Sequence, residues 1–320
     1  MLQRKVSMTA VQELRIISLI ASSTETLYRL GLLDKIIGRS HECDYPASVL
    51  DLPVCTSPKF EVDGTSYEID QKVKALVQEG LSVYRVDAEK IKSLNPTHIV
   101  TQIQCEVCAV SEKDVVDACS LTLGENVKII SLKPDCFTDI LSDIDTLGIE
   151  LNIEQRGLDL IGEITEKIES LHRQCQSFKL ASEKTPSIAC IEWIDPLMAA
   201  GNWVPELIEF ACGQNLFGEA GKHSPWMNMS DLVNSDPDVV LVTPCGFDIN
   251  RTMSEMHLLL DNDQFKSMSC VKNKRVYVAD GNQYFNRPGP RIVESMQMIA
   301  EMLYPENYSS GLKDSGFIQI

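Results

Sequence analysis

No stretch of this chain stays apolar for the roughly 20 residues that a membrane-spanning helix needs, so no membrane insertion is expected. Arg4 and Lys5 imitate the head of a secretion signal, but Gln12, Glu13 and Arg15 interrupt the next segment, and Leu14 to Ala21 reads as a first strand. The sequence therefore predicts no secretion signal and a cytoplasmic location. Positive charge is scarce: 29 Lys and Arg stand against 46 Asp and Glu, a formal net charge of −17. Such a surface repels phosphate backbones and argues against a nucleic-acid partner. There is no G-x-G-x-x-G, no P-loop and no H-E-x-x-H, which removes the common dinucleotide, nucleotide and zinc-protease readings. Short repeats and low-complexity tracts are also missing. The 11 cysteines are odd in number and irregularly spaced, so they do not read as a disulfide framework.

What is present is an alternation of strand and helix, broken once. The first half gives strands at 14–20, 35–40, 82–86, 97–102 and 127–131, with helices between them, including Ser66 to Gly80 and Asp135 to Leu147. Residues 153–178 then carry no proline and place Leu160, Ile161, Ile164, Ile168 and Leu171 at helical spacing. A helix of that length spans close to 40 Å at about 1.5 Å per residue and can act as a stiff strut. The alternation restarts with strands at 187–193, 239–243 and 275–279 and a last helix at 290–303. The fold class expected is α/β: two lobes with parallel-rich sheets, joined by one long helix, with a ligand cleft between them. The limits are 12–150 for the first lobe, 153–178 for the linking helix and 185–305 for the second lobe. Residues 306–320 are expected to form a loose tail.

In open α/β sheets ligands bind beyond the carboxyl ends of the strands. Cys43, Cys105, Cys108 and Cys245 all lie just past predicted strand ends. Cys105-Glu106-Val107-Cys108 has spacing suited to two thiolates on one metal or to a redox pair. Four converging sulfurs would suit tetrahedral zinc or an iron–sulfur cluster, while packed thiols are the plain alternative. Glu192-Trp193 ends the first strand of the second lobe. Trp193 could floor a flat ligand, and Glu192 beside it is the acid–base candidate if the protein is an enzyme. Trp203 and Glu206 come next across a turn, with one tryptophan plugging the core as the rival reading. Arg287 and Arg291 open the last helix and invite an anionic group, or else a local acid. Tyr284 precedes them as a hydrogen-bond donor. Ser23 sits at a helix start suited to anions or to capping. His41, two residues before Cys43, is a candidate ligand or proton donor, or else a loop histidine bonding backbone.

Several stretches carry a resemblance over roughly residues 12 to 305. They are Ser18-Leu19-Ile20-Ala21-Ser22-Ser23-Thr24-Glu25, His41-Glu42-Cys43-Asp44-Tyr45-Pro46 and Gln104-Cys105-Glu106-Val107-Cys108-Ala109-Val110 in the first half. In the second they are Glu192-Trp193-Ile194-Asp195-Pro196, Gly201-Asn202-Trp203-Val204-Pro205-Glu206, Pro244-Cys245-Gly246-Phe247 and Arg287-Pro288-Gly289-Pro290-Arg291. Together they resemble the cobalamin-binding protein-like subgroup of the helix-linked (class III) substrate-binding proteins. The resemblance implies a cobalamin-like corrinoid or other small-molecule metal chelate as ligand; the residues read above as candidates to contact it are Ser23, Cys43, Glu192, Trp193, Trp203, Glu206, Tyr284, Arg287 and Arg291. Family members that feed a transporter are secreted or lipid-anchored, so the lack of a signal argues against a transporter partner. Two function classes stay open: a binding protein for such a chelate, and a metal or iron–sulfur protein or enzyme built on the four cysteines with Glu192.

Overall fold

The computed structural model describes residues 13–78, 83–103, 113, 115–116, 127–182 and 184–320. In the first half, β1 (Ile16–Ser18), β2 (Ile36–Arg39), β5 (His98–Gln102) and β6 (Lys128–Leu132) form one sheet in the order β2-β1-β5-β6. Every pairing in it is parallel. Such strands are covered on both faces, which is why β1 reads Ile-Ile-Ser with all three residues buried. A separate antiparallel ribbon pairs β3 (Thr56–Pro58) with β4 (Tyr84–Val86). The helices are α1 (Ala21–Arg29), α2 (Ser66–Gln78), α3 (Ala88–Leu94) and α4 (Phe137–Glu150). Asp87 caps α3 by accepting the Lys90 N–H at 3.0 Å.

The linking helix α5 runs from Glu154 to Ser182, about 43 Å at 1.5 Å per residue. Its buried stripe is Gly157, Leu160, Ile164, Ile168, Leu171 and Cys175, the i, i+3, i+4 pattern that the sequence suggested. This stripe does more than brace the lobes. Leu160 to Cys175 belong to one apolar cluster that also holds Val100 and Ile144 of the first half and Ile188, Leu241 and Tyr277 of the second. On the side of α5, then, the two halves share a core.

The second sheet has the order β12-β11-β10-β7-β8, with β9 (Gln214–Asn215) beside β7. β7 (Ser187–Trp193), β10 (Val239–Val242) and β11 (Val276–Ala279) are parallel, while β8 (Met198–Ala199) runs antiparallel to β7. Helices α6 (Val204–Phe210), α7 (Met229–Ser235), α8 (Ile249–Glu255) and α9 (Ile292–Leu303) flank this sheet, with three one-turn helices between Met256 and Asn273. Between β11 and α9 lies a π-helical turn, Gly281–Phe285. The expectation of a loose tail is corrected. β12 (Phe317–Gln319) pairs antiparallel with β11, and Phe317 is sealed in the core against Tyr277.

Candidate functional site

The two halves also meet through charge. Arg287 and Arg291 project from the segment between the π turn and α9 onto Glu25 of α1. Glu25 is only 1% exposed, and both guanidinium groups are nearly as buried. Arg291 Nε donates to Glu25 Oε2 at 2.8 Å and Arg287 Nη1 to Glu25 Oε1 at 3.0 Å. Arg287 also grips Asp44, with Nη2 donating to Oδ2 at 3.0 Å, and it reaches the Glu42 carbonyl at 3.4 Å. Asn282 of the π turn donates to Asp44 at 3.3 Å. Arg291 stacks over Tyr45 and Tyr284, at 4.2 and 5.0 Å from the ring centroids. Glycine permits this approach: a Cβ on Gly289 would lie 3.3 Å from the Ser22 carbonyl oxygen. A Cβ on Gly281 would lie 2.2 Å from the Pro244 oxygen, so only glycine lets the π turn lie against the tip of β10.

The electrostatics derive from that packing. Burial pulls the Arg287 guanidinium down, but the bonds to Asp44 and Glu25 outweigh it and hold its pKa above the ordinary range. Burial pushes Asp44 up, and Arg287 more than offsets it, so its carboxyl stays below the usual value. Glu42 differs. Burial raises it to about 7, only partly opposed by the Tyr84 hydroxyl, which donates at 3.0 Å, and by Arg287.

Two further carboxylates of the second lobe close the seam on either side. Glu255 of α8 accepts the Ser66 N–H at 2.9 and 3.0 Å, at the first turn of α2. Its neighbour Arg251 bonds Glu255 and the Gly64 carbonyl. Glu206 accepts the Phe137 N–H at 2.7 Å, at the first turn of α4. Each acid thus sits on the positive end of a helix in the opposite lobe. Lys74 of α2 lies 4.8 Å from the ring centroid of Trp226, which is 55% exposed.

The residues singled out from sequence divide into three groups. Arg287, Arg291, Tyr284 and Glu206 are at the seam, engaged in the contacts above. Glu192 and Trp193 end β7 close to it. Glu192 accepts the Ser224 hydroxyl at 2.9 Å and burial raises its pKa. Trp193 donates to the Asp195 carbonyl at 3.1 Å and packs on Phe247, itself under Arg251 at 4.3 Å. Ser23, Cys43 and Trp203 correct the expectation of cleft-facing groups. Ser23 Oγ lies 2.6 Å from Ser18 Oγ and donates to the Ile20 carbonyl, so it knits the strand tip to α1 instead of offering an anion site. Trp203 is a core plug whose indole N–H donates to the Phe285 carbonyl at 3.1 Å.

Cys43 is fully buried beneath that hydroxyl cluster, 3.0 Å from Thr24 Oγ1, and burial pushes its thiol up to about 12. Its thiol also points back to the Ser18 carbonyl at 3.7 Å, sealed under the strand tip and not facing the cleft. Cys245 is half-buried after β10, its N–H donating to the Glu192 carbonyl at 3.2 Å. Cys105 and Cys108 lie outside the described residues. Among the described residues no three His, Cys, Asp or Glu side chains converge on a metal position. Sequence reading missed Glu25, Glu42, Asp44, Glu255, Tyr84 and Trp226. Glu25 and Asp44 stand inside stretches that carried the resemblance, while Glu255 has no local signal at all.

Comparison with known proteins agrees with this architecture. The family model described as periplasmic binding protein matches residues 16–282. The ABC transporter substrate-binding lipoprotein YvrC of Bacillus subtilis (strain 168) is 23% identical over 92% of this chain and 81% of its own length. The vitamin B12-binding protein of Vibrio vulnificus (strain CMCP6) is 24% identical over 92% of both chains. The crystal structure of a periplasmic heme binding protein from Pseudomonas aeruginosa superposes with a TM-score of 0.70 at 16% identity, covering 95% of this chain and 97% of that one. Two expectations fall here. The cytoplasmic location is overturned by the match to the periplasmic binding protein family and by a relative that is a lipoprotein. Doubt about a transporter partner loses its support, because the Bacillus relative is a transporter's substrate-binding protein. The chain, two α/β lobes on one linking helix, belongs to the periplasmic binding protein family.

Proposed function

We propose that this protein clasps a corrinoid or related metal tetrapyrrole between its lobes, outside the cytoplasm, and delivers it to an ABC importer. The lobes are those delimited from the sequence, with α5 as the strut. The observation that carries the reading is the asymmetry of the junction. The halves share an apolar core along α5 but also meet through ion pairs and charged hydrogen bonds. Water can replace these contacts at a modest net cost, about 1.5–3 kcal/mol for a hydrogen bond to a charged group, so that part of the junction can open for a ligand. Relatives that bind vitamin B12 or heme support the ligand class.

Titration of the full chain with hydroxocobalamin, and separately with hemin, tests it through tryptophan emission and ligand absorbance. Saturable one-to-one binding of at least one is expected. Failure of both to bind would overturn the reading.

A further inference from the structure

Resting on that reading of the cleft, we propose that His41 Nε2 is an axial ligand for the metal of the bound tetrapyrrole, so the cargo is a chelate with an exchangeable axial position. The ring's tautomer is fixed by its neighbours. Thr56 Oγ1 donates its one proton to Ser40 Oγ at 3.0 Å and accepts the His41 backbone N–H at 3.1 Å. It also lies 2.8 Å from His41 Nδ1. With the hydroxyl proton on Ser40, the short 2.8 Å contact to Thr56 favours Nδ1 as the protonated nitrogen over the longer contact, 3.4 Å, from the Ser40 hydroxyl. Nε2 is left with a free lone pair. Among the described residues it has no hydrogen-bond partner, and its nearest acid, Glu42 Oε1, is 4.0 Å away. A neutral imidazole whose far nitrogen is held by an acceptor is the arrangement metal-bound histidines use.

The position suits the role. His41 lies just after β2, at the carboxyl edge of its sheet, on the loop whose Glu42 and Asp44 touch Arg287 of the opposite lobe. The ring is about a quarter exposed and packs 5.5 Å from the Tyr84 ring. Burial, helped by Arg39, lowers its pKa and keeps the imidazole uncharged at neutral pH. No cage of protein ligands surrounds it among the described residues. A tetrapyrrole that presents its metal to Nε2 supplies the other ligands itself. The step balances simply: the Nε2 lone pair forms the metal–nitrogen bond, the bound water leaves as water, and neither proton nor electron moves.

The test compares hydroxocobalamin in its aquo form, which exchanges its upper ligand, with cyanocobalamin, whose cyanide holds that position. The wild-type chain should shift the absorption bands of bound aquocobalamin relative to the free form. His41→Ala should abolish that shift and weaken aquocobalamin binding by about tenfold or more, while binding cyanocobalamin as the wild type does, which also shows that the variant folds. Thr56→Val should weaken aquocobalamin binding by roughly tenfold by freeing the ring. Added imidazole should restore the shift to His41→Ala. Identical spectra of bound aquocobalamin in wild type and His41→Ala would overturn the inference while leaving the cleft reading intact. If neither corrinoid nor hemin binds the wild type, both fall together.

Discussion

The two sides on which the lobes meet are built from opposite chemistry. Along α5, Ile144, Leu160, Ile164, Ile168 and Leu171 join the core of one sheet to that of the other, and Phe137 and Phe210 add an edge-to-face contact at 5.4 Å. At the cleft, Glu25, Asp44 and Glu255 meet arginines and a helix end. Apolar surface loses free energy whenever it is wetted, about 25 cal/mol per Å², so the α5 side stays shut. Charged partners exchange one another for water with modest net change. A stiff strut and a parting cleft thus need no flexible linker: the choice of residue on each side sets where motion is cheap.

Substitutions on either side put that contrast at risk. Glu25→Ala should have the largest effect. It strands two buried guanidinium groups, and removing one partner of a buried ion cluster costs about 3–5 kcal/mol. Denaturant unfolding reads this directly, and a loss below about 1 kcal/mol would mean that the seam is already wet. Ile164→Ala removes buried methyl groups on the other side and should cost about 2–5 kcal/mol. It should change hydroxocobalamin affinity by no more than about twofold, because it leaves the cleft alone. Glu255→Gln keeps the shape but not the charge at the start of α2, so about 1 kcal/mol should be lost. Ligand dissociation, measured by stopped flow, should speed up as one latch weakens.

The smallest effect is in pH. Glu42 has its carboxyl raised to about 7 in the folded protein against an ordinary 4.5. The folded state then binds more protons than the unfolded one between those values. The contribution of Glu42 is full below about 4.5 and is lost as pH rises toward 7. Asp44 is shifted the other way: its contribution is present above 3.8 and is lost as pH falls below it. Glu42→Gln should flatten the decline between pH 4.5 and 7 and leave the acid limb unchanged. An unaltered profile in urea melts across that range would show that Glu42 is fully hydrated.

The fold was largely legible because its signals are local. The short, mostly apolar segment Ser187–Trp193 and the stripe on α5 signal strand and helix locally, and both stand where expected. β12 was missed because Phe317–Gln319 is too short to show a pattern and gains its strand only by pairing with β11. At the site, Arg287 and Arg291 were visible as unusual positive charge in an acidic chain. Their partners Glu25 and Asp44 were not, because pairs separated by about 260 and 240 positions have no sequence signature. Cys43 and Trp203 were misread for one reason. Both lie near strand ends, where the last side chain can turn either into the cleft or back under the next helix. Neighbours such as Thr24 and Phe285 decide which.

Hydrogen exchange at one backbone amide tests the central claim most directly. The Ser66 N–H bonds across the seam to Glu255, so on this account it exchanges when the lobes part. Saturating hydroxocobalamin should slow it, while amides within the α5 stripe stay unchanged. Protection confined to the 260 Å³ groove between α5 and α9, lined by Arg29, Lys167 and Glu294, with Ser66 unaffected, would contradict a ligand held between the lobes.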